Sequence, residues 1–222
     1  MLLRNLIAAF MLLIMNSCAT FGPAAVQRTV LESRAAVTHI LYGQLSCSAF
    51  HIGDGRFITA AHCFGEDLGG PVGEVRMIDE HNFQYFPKIA KYSQKMDLVL
   101  LVAPDFKGPA LSLWDNVWDG ELPLGMEMVS MGYPGYYDLS FQFEHGYIKD
   151  MIDFEGVEMV VSEESSYSGE SGGPAISTAN GKVIGMVDAG VEQIQWYRFP
   201  THIHVSLSLF VSAREIRAFL LK

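Results

Sequence analysis

The chain has 222 residues, half of them hydrophobic and only 18% charged, with a formal net charge of −10. That apolar content suits a packed core in one large or two small domains and excludes a disordered chain. The acidic balance, with no basic stripe or Lys/Arg cluster, excludes nucleic acid as the expected partner.

Arg4 is the only charge before an apolar run, Leu6 to Met15, that leads into Asn16-Ser17-Cys18. A basic start and an apolar stretch too short to span a bilayer read as an export signal over residues 1–18. Its end, Ser17-Cys18-Ala19-Thr20, resembles the lipobox of bacterial lipoproteins, in which the cysteine becomes the lipidated N-terminus. Met15 and Asn16 stand where a Leu and a small residue are usual. Lipidation of Cys18 is the first expectation, simple secretion the second and a retained membrane anchor the third. The protein is thus expected in the periplasm or outside the cell, attached to the membrane if Cys18 carries lipid. Three cysteines, Cys18, Cys47 and Cys63, make an odd count that calls for a special fate for one of them. With Cys18 lipidated, Cys47 and Cys63 are either buried thiols or a pair, and an exported location favours the disulfide.

Residues 19–37 read as a short Ala-containing N-terminal segment. Short strand-like runs follow: Thr38–Gly43, Leu45–Ile52, Arg56–Ala60, Val72–Ile78, Gln84–Tyr92 and Asp97–Val102. Gly53-Asp54-Gly55 marks a hairpin between the second and third. A Pro- and Trp-containing stretch, Pro104 to Pro123, reads as a linker. Six more runs come after it: Glu127–Gly132, Leu139–Met151, Gly156–Ser162, Ala175–Ser177, Lys182–Asp188 and Gln195–Val205. Many short strands without a βαβ pattern point to antiparallel barrels or sandwiches. One helix is expected, at the C-terminus. Ser212-x-x-Glu215 is a capping box with Val211 and Ile216 as a staple, and Ile216, Phe219 and Leu220 then share a face.

Three segments carry chemistry. Ser168-Gly169-Glu170-Ser171-Gly172-Gly173-Pro174 sets one serine between glycines that permit a sharp turn, a setting that exposes a hydroxyl and aims N–H groups at one point. A tight surface turn would have the same composition. His62 lies in Thr59-Ala60-Ala61-His62-Cys63 directly after an apolar strand, with His39, His51, His81, His145, His202 and His204 as competitors. Alone, it would read as a structural histidine. Asp97 opens Asp97-Leu98-Val99-Leu100-Leu101 and would read alone as a strand-edge cap.

In this order, Thr-Ala-Ala-His-Cys, Asp-Leu-Val-Leu-Leu and Gly-Glu-Ser-Gly-Gly-Pro resemble the chymotrypsin-like (trypsin-like) serine peptidases. Cys47 and Cys63 match the family's disulfide beside the catalytic histidine. Met131-Gly132-Tyr133-Pro134-Gly135 and Gly181-Lys182-Val183-Ile184-Gly185-Met186 resemble segments of bacterial members, including HtrA-type peptidases. No PDZ-sized extension follows Lys222, so the oligomeric HtrA architecture is not expected and a monomer is.

The resemblance implies an all-β fold of two six-stranded antiparallel β-barrels plus the C-terminal helix. Residues 38–118 would form the first barrel, bearing His62 and Asp97, and 119–222 the second, bearing Ser171. It implies Ser171 as nucleophile, His62 as general base and then acid, Asp97 as its orienting carboxylate, and the N–H groups of Gly169 and Ser171 as oxyanion hole. Ser166 and Ser168 lie near the nucleophile but lack its glycine setting.

Two positions depart from the family. Glu170 replaces the usual Asp, and no Ile-Val-Gly-Gly-like start lies near Ala24 to Val37, so activation by a new N-terminus is not implied. The pocket-floor position falls on Ser165, which offers no carboxylate for Lys or Arg side chains and suggests an apolar or small residue there. The pocket wall would comprise Asp188, Ala189 and Gly190, where Asp188 replaces a usual Ser. That carboxylate either lines the substrate cleft or bonds near Asp97. His202 and His204 read as structural or rim residues, no spacing makes a metal site, and no cofactor is expected.

The implied activity is that of an exported serine endopeptidase acting on protein or peptide substrates through an acyl-enzyme. The alternatives are an inactive protease-fold binding or scaffold lipoprotein, and a narrow-specificity processing protease or esterase on the same fold.

Overall fold

A computed structural model describes residues 23–65, 74–135, 140–164, 166–196 and 202–222; the signal-like segment and Cys18 lie outside them. The chain enters through helix α1 (Pro23–Ser33), where an all-β reading expected only a connecting segment. Pro23 occupies its first position, where a missing N–H costs nothing. Ala25, Val26, Thr29, Val30 and Ser33 are buried and form its inner face.

Seven strands follow: β1 (Val37–Tyr42), β2 (Leu45–Gly53), β3 (Arg56–Ala60), β4 (Arg76–Ile78), β5 (Gln84–Tyr85), β6 (Lys88–Ser93) and β7 (Leu98–Val102). They form one antiparallel sheet in the order β5-β4-β1-β2-β3-β7-β6. The expected hairpin is present: Asp54 and Gly55 turn with φ of 55° and 67°, which suits the twist of the flanking strands. Instead of a six-stranded barrel, this half is an open sheet. Its two edge strands are consecutive arms of one segment, expected as the single strand Gln84–Tyr92. Pro87, lacking an N–H, cannot continue a ladder. The chain therefore turns a corner through Phe86-Pro87 and passes from one edge of the sheet to the other. Phe50, Ile58 and Leu98 are buried on one face of the sheet and Phe57 and Leu101 on the other, each contributing about 2 kcal/mol of burial.

The crossover, residues 103–126, includes the helical turn α2 (Asn116–Asp119). It bonds to both halves: Leu111 N–H donates to His51 O, and Trp114 N–H to Val183 O, each at 2.8 Å. The second half is a closed six-stranded barrel of β8 (Glu127–Gly132), β9 (Gln142–Phe154), β10 (Val157–Ser162), β11 (Pro174–Ser177), β12 (Val183–Trp196) and β13 (His202–Ser212), in the order β10-β13-β12-β11-β8-β9. β12 and β13 outrun their sequence boundaries into a long hairpin. Helix α3 (Ala213–Leu221) begins at the expected cap, with Ser212 Oγ accepting from Glu215 N–H. It buries Ile216 and Phe219. Lys91 of β6 donates to the Phe219 carbonyl and lies over its ring, so the terminal helix also ties down the first sheet.

Candidate active site

His62 and Asp97 are neighbours because β3 and β7 are. Ala60 pairs with Leu98, so the next residue out on each strand points to the same rim. After Ala60 the chain tightens into a 3₁₀ turn, Ala61–Phe64, that buries Ala61, Cys63 and Phe64 and leaves His62 outward. A disulfide from Cys63 to Cys47 of β2, with Cα atoms 6.1 Å apart, anchors that turn.

Asp97 sits in the left-handed region at φ 50°, a conformation that short polar residues tolerate best. Three bonds from the His62 turn help hold it there. Ala61 N–H donates to its carbonyl at 3.1 Å, His62 N–H to Oδ1 at 2.8 Å, and His62 Nδ1 meets Oδ2 at 2.7 Å. The bond from Asp97 raises the His62 pKa, against the opposing effect of burial. For Asp97 itself, burial pulls the pKa upward. Hydrogen bonds from His62 oppose that pull, and the carboxyl is held below its usual range.

The serine loop is fixed by its main chain. Ser48 N–H of β2 donates to Ser171 O at 2.8 Å, and Ser48 Oγ donates to Gly169 O at 2.8 Å while accepting from Tyr133 N–H at 2.9 Å. From the barrel, Gly172 N–H donates to Val187 O at 2.8 Å and Val187 N–H to Gly173 O at 2.9 Å. The glycines are steric requirements. A Cβ on Gly172 (φ 86°) would lie 2.2 Å from Ser48 O, and one on Gly169 (φ 104°) 2.6 Å from Tyr133 O. Among the described residues, the N–H groups of Gly169 and Ser171 donate to no backbone carbonyl. Among the described residues, the His62 ring bonds Asp97 but no hydroxyl, as is common before substrate arrives.

Glu170 is buried beneath this loop. Its Oε2 accepts from Tyr167 N–H at 2.8 Å, whereas Oε1 has no partner among the described residues. Burial pushes its pKa up to about 7, with Glu144 adding repulsion. Among the described residues, neither carboxyl oxygen of the buried Glu164 has a partner of ordinary geometry. Burial drives its pKa to about 8, helped by Glu170 and Glu144, and the nearby Ser130 hydroxyl only partly opposes it.

Asp188 stands beside the pair on the rim. Its Oδ1 lies 4.0 Å from His62 Nδ1, and its carboxyl comes within 4.8 Å of that of Asp97. Of its two expected placements, the structure shows the one near Asp97. Burial, then the neighbouring Asp97, raise its pKa to about 7. Ala189 and Gly190 follow on β12 opposite Leu209 and Ser208. Ser165 lies outside the described residues. Ser168 is exposed, with its carbonyl accepting from Gly135 N–H at 2.8 Å.

Three of the competing histidines, His39, His145 and His51, have structural partners. His39 Nε2 meets Ser46 Oγ at 2.7 Å and His145 Nε2 meets Glu127 Oε1 at 3.1 Å. His51 Nε2 accepts from Gly55 N–H, which leaves its Nδ1–H to donate to Pro109 O. Two sets of donor atoms come within 4.8 Å of one another: Cys47, Cys63 and His62, and His62, Asp97 and Asp188. In the first both sulfurs belong to the disulfide; in the second the atoms already share protons. Neither is a ready cation site.

Sequence reasoning missed Ser48, which ties both halves to the loop. Its only signal was a polar residue in an apolar strand beside Cys47, where full burial demands hydrogen-bond partners.

The model of the trypsin-like peptidase domain family matches residues 47–186. No curated protein sequence matches the chain. Among solved structures, the active form of the Rv3671c protease from M. tuberculosis superposes with a TM-score of 0.71, covering 90% of this chain and 86% of its own at 20% identity. The inactive form of the Rv3671c protease gives 0.69, covering 90% and 95% at 22% identity. At such identities the likeness establishes a shared fold.

Proposed function

The chain belongs to the trypsin-like peptidase domain family, and from that premise we propose that it is an exported serine endopeptidase. The observation that carries this reading is the double hydrogen bond from His62, main chain and ring, to the single carboxylate of Asp97, on the rim that Ser48 joins to Ser171. His62 takes the proton of the Ser171 hydroxyl as that oxygen attacks the peptide carbonyl, then gives it to the leaving amine. Asp97 holds the tautomer in which Nδ1 carries hydrogen and stabilises the imidazolium. The carbonyl oxygen, now negative, meets the N–H groups of Gly169 and Ser171, worth on the order of 3 kcal/mol per donor. Water then hydrolyses the acyl-serine by the same steps. The Cys47–Cys63 disulfide supports an oxidising, exported location.

Nothing in this arrangement depends on a liberated N-terminus. The loop is held by Ser48, Tyr133 and Val187, and Glu170 has no cationic partner among the described residues. Peptide-library profiling of the protein lacking residues 1–18 tests the proposal. Endoproteolytic cleavage that disappears in Ser171→Ala is expected. Absence of turnover with every peptide would instead favour a binding protein on this fold.

A further inference from the structure

A cavity of about 260 Å³ lies where the first sheet meets the barrel, with Arg34, His39, Asp79, Glu80, Tyr133 and Phe141 in its lining. Five segments meet there: the 3₁₀ turn after α1, β1, the turn between β4 and β5, and the residues just past β8 and just before β9. We propose that this cavity is a binding site for an α-carboxylate with an N–H on the neighbouring carbon, the group that ends a peptide and that a free amino acid carries. The site would bind whether or not Ser171 reacts. Its volume is several times the roughly 30 Å³ of one water, room for a terminal residue.

The polar atoms of the lining define the ligand. His39 and Tyr133 are 2% and 5% exposed, and His39 Nδ1 and the Tyr133 hydroxyl have no hydrogen-bond partner among the described residues. A ligand that completes such buried groups removes a standing cost. Ser46 Oγ donates its hydrogen to Gly135 O at 3.3 Å, so it accepts from His39 Nε2–H at 2.7 Å. Nδ1 therefore carries the lone pair and calls for a donor. Burial and the charge of Arg76 push the His39 pKa down to about 4, so the ring stays neutral at pH 7. Burial pushes the Tyr133 pKa up to about 12, so its hydroxyl keeps a proton to donate.

Arg34 supplies the charge. Its Nε lies 3.3 Å from Glu80 Oε2, and its other guanidinium N–H groups have no partner among the described residues. The guanidinium stands 5.0 Å over the Phe141 ring, which meets the Tyr133 ring edge-on at 5.7 Å. The other acid is already engaged: Asp79 Oδ1 accepts from His81 and Phe83 N–H at 2.9 Å each, and Oδ2 from the Tyr85 hydroxyl at 3.2 Å. What remains is a guanidinium fork, a phenol donor and one imidazole acceptor beside two aromatic rings. The fork matches a carboxylate bidentately and the phenol adds a donor to it, while His39 takes the N–H. The His39 and Tyr133 ring centroids are 5.5 Å apart, close enough for one small group to reach both. Sulfate would fill the fork but has no hydrogen for His39. Tyr133 N–H also bonds Ser48 Oγ, which holds Gly169 O, so the cavity shares a residue with the support of the serine loop.

Calorimetric titration of the Ser171→Ala protein lacking residues 1–18 tests this without turnover. The probes are acetyl-Ala-Ala-Phe with its C-terminal carboxylate, the same peptide as its C-terminal amide, and phenylalanine. The peptide acid should bind saturably and the amide about tenfold more weakly, the scale of a hydrogen bond to a charged group. Arg34→Met keeps an apolar stem against Phe141; it should weaken the acid about tenfold and erase its advantage over the amide. Tyr133→Phe should weaken the acid by a smaller factor. Phenylalanine binding as tightly as the peptide acid would identify free amino acids as the source, and binding of the peptide acid alone would identify chain ends. The NMR signals of the His39 ring should shift as the acid binds, because Nδ1 gains a donor. Should a variant melt early, the comparison of acid with amide and the His39 shift decide on the parent protein. No saturable binding of acid or phenylalanine, equal binding of acid and amide, unchanged affinity in a folded Arg34→Met, or a shift at His62 with none at His39 would overturn the assignment. The peptidase reading fails separately, on the absence of Ser171 labelling, which none of these titrations uses.

Discussion

At the rim of the first sheet, His62 and Asp97 are bound to each other through the main chain and the ring of His62, and the disulfide and β3–β7 register hold the turn beneath them. Across the cleft, the Ser171 loop is held by main-chain bonds and close glycine contacts, and under it lie Glu170 and Glu164 with unpartnered buried oxygens. One side is specified by charge-assisted hydrogen bonds, which are strong and directional. The other is specified by shape, and its buried carboxyls stay there by remaining protonated. The difference teaches that the base side should fail on loss of a single charge, whereas the nucleophile side should lose stability as its buried acids ionise.

The largest effect is expected where the directional side is broken. Asp97→Asn preserves size but removes the charge and favours the wrong imidazole tautomer. We expect kcat to fall by about 10⁴ with the fold unchanged by circular dichroism. A loss within tenfold would mean that His62 does not depend on Asp97, and the contrast between the two sides would collapse.

A smaller effect is expected from the buried acids, read in stability. Glu164 and Glu170 have pKa values raised to about 8 and about 7, so between their unfolded values and these the native state holds more protons than the unfolded chain. Stability therefore falls as pH rises through that window. His39, pushed down to about 4 by burial and by Arg76, contributes the opposite slope. That contribution ends near its unfolded value of about 6.5. The net loss should thus be clearest between pH 6.5 and 8, where raised His62 acts in the same direction. Urea unfolding across this range should show the slope, and Glu164→Gln should flatten it. An equal slope in both proteins would show that Glu164 is not a proton store in the native state.

Much of this was legible in the sequence for local reasons. The His62, Asp97 and Ser171 segments each carry their signature within a few residues, and the cap at Ser212 and the turn at Asp54-Gly55 are set by short-range chemistry. What escaped was non-local. Pro87 was visible as a residue, but its effect, one expected strand becoming two edges of a sheet, depends on where the chain must go next. Helix α1 carries Pro23 as its only start signal and takes its stability from burying one face. Asp188 could be read as cleft or partner because a bulge, which depends on the register of β12 against β13, decides where it points. Ser48 matters only because another half of the molecule rests on it.

The most direct measurement is mass-spectrometric mapping of a fluorophosphonate adduct on the protein lacking residues 1–18. The account predicts a single phosphonylated residue, Ser171, no adduct in Ser171→Ala, and strongly slowed labelling in Asp97→Asn. An adduct on Ser166 or Ser168, or none on the intact protein at any pH, would contradict it.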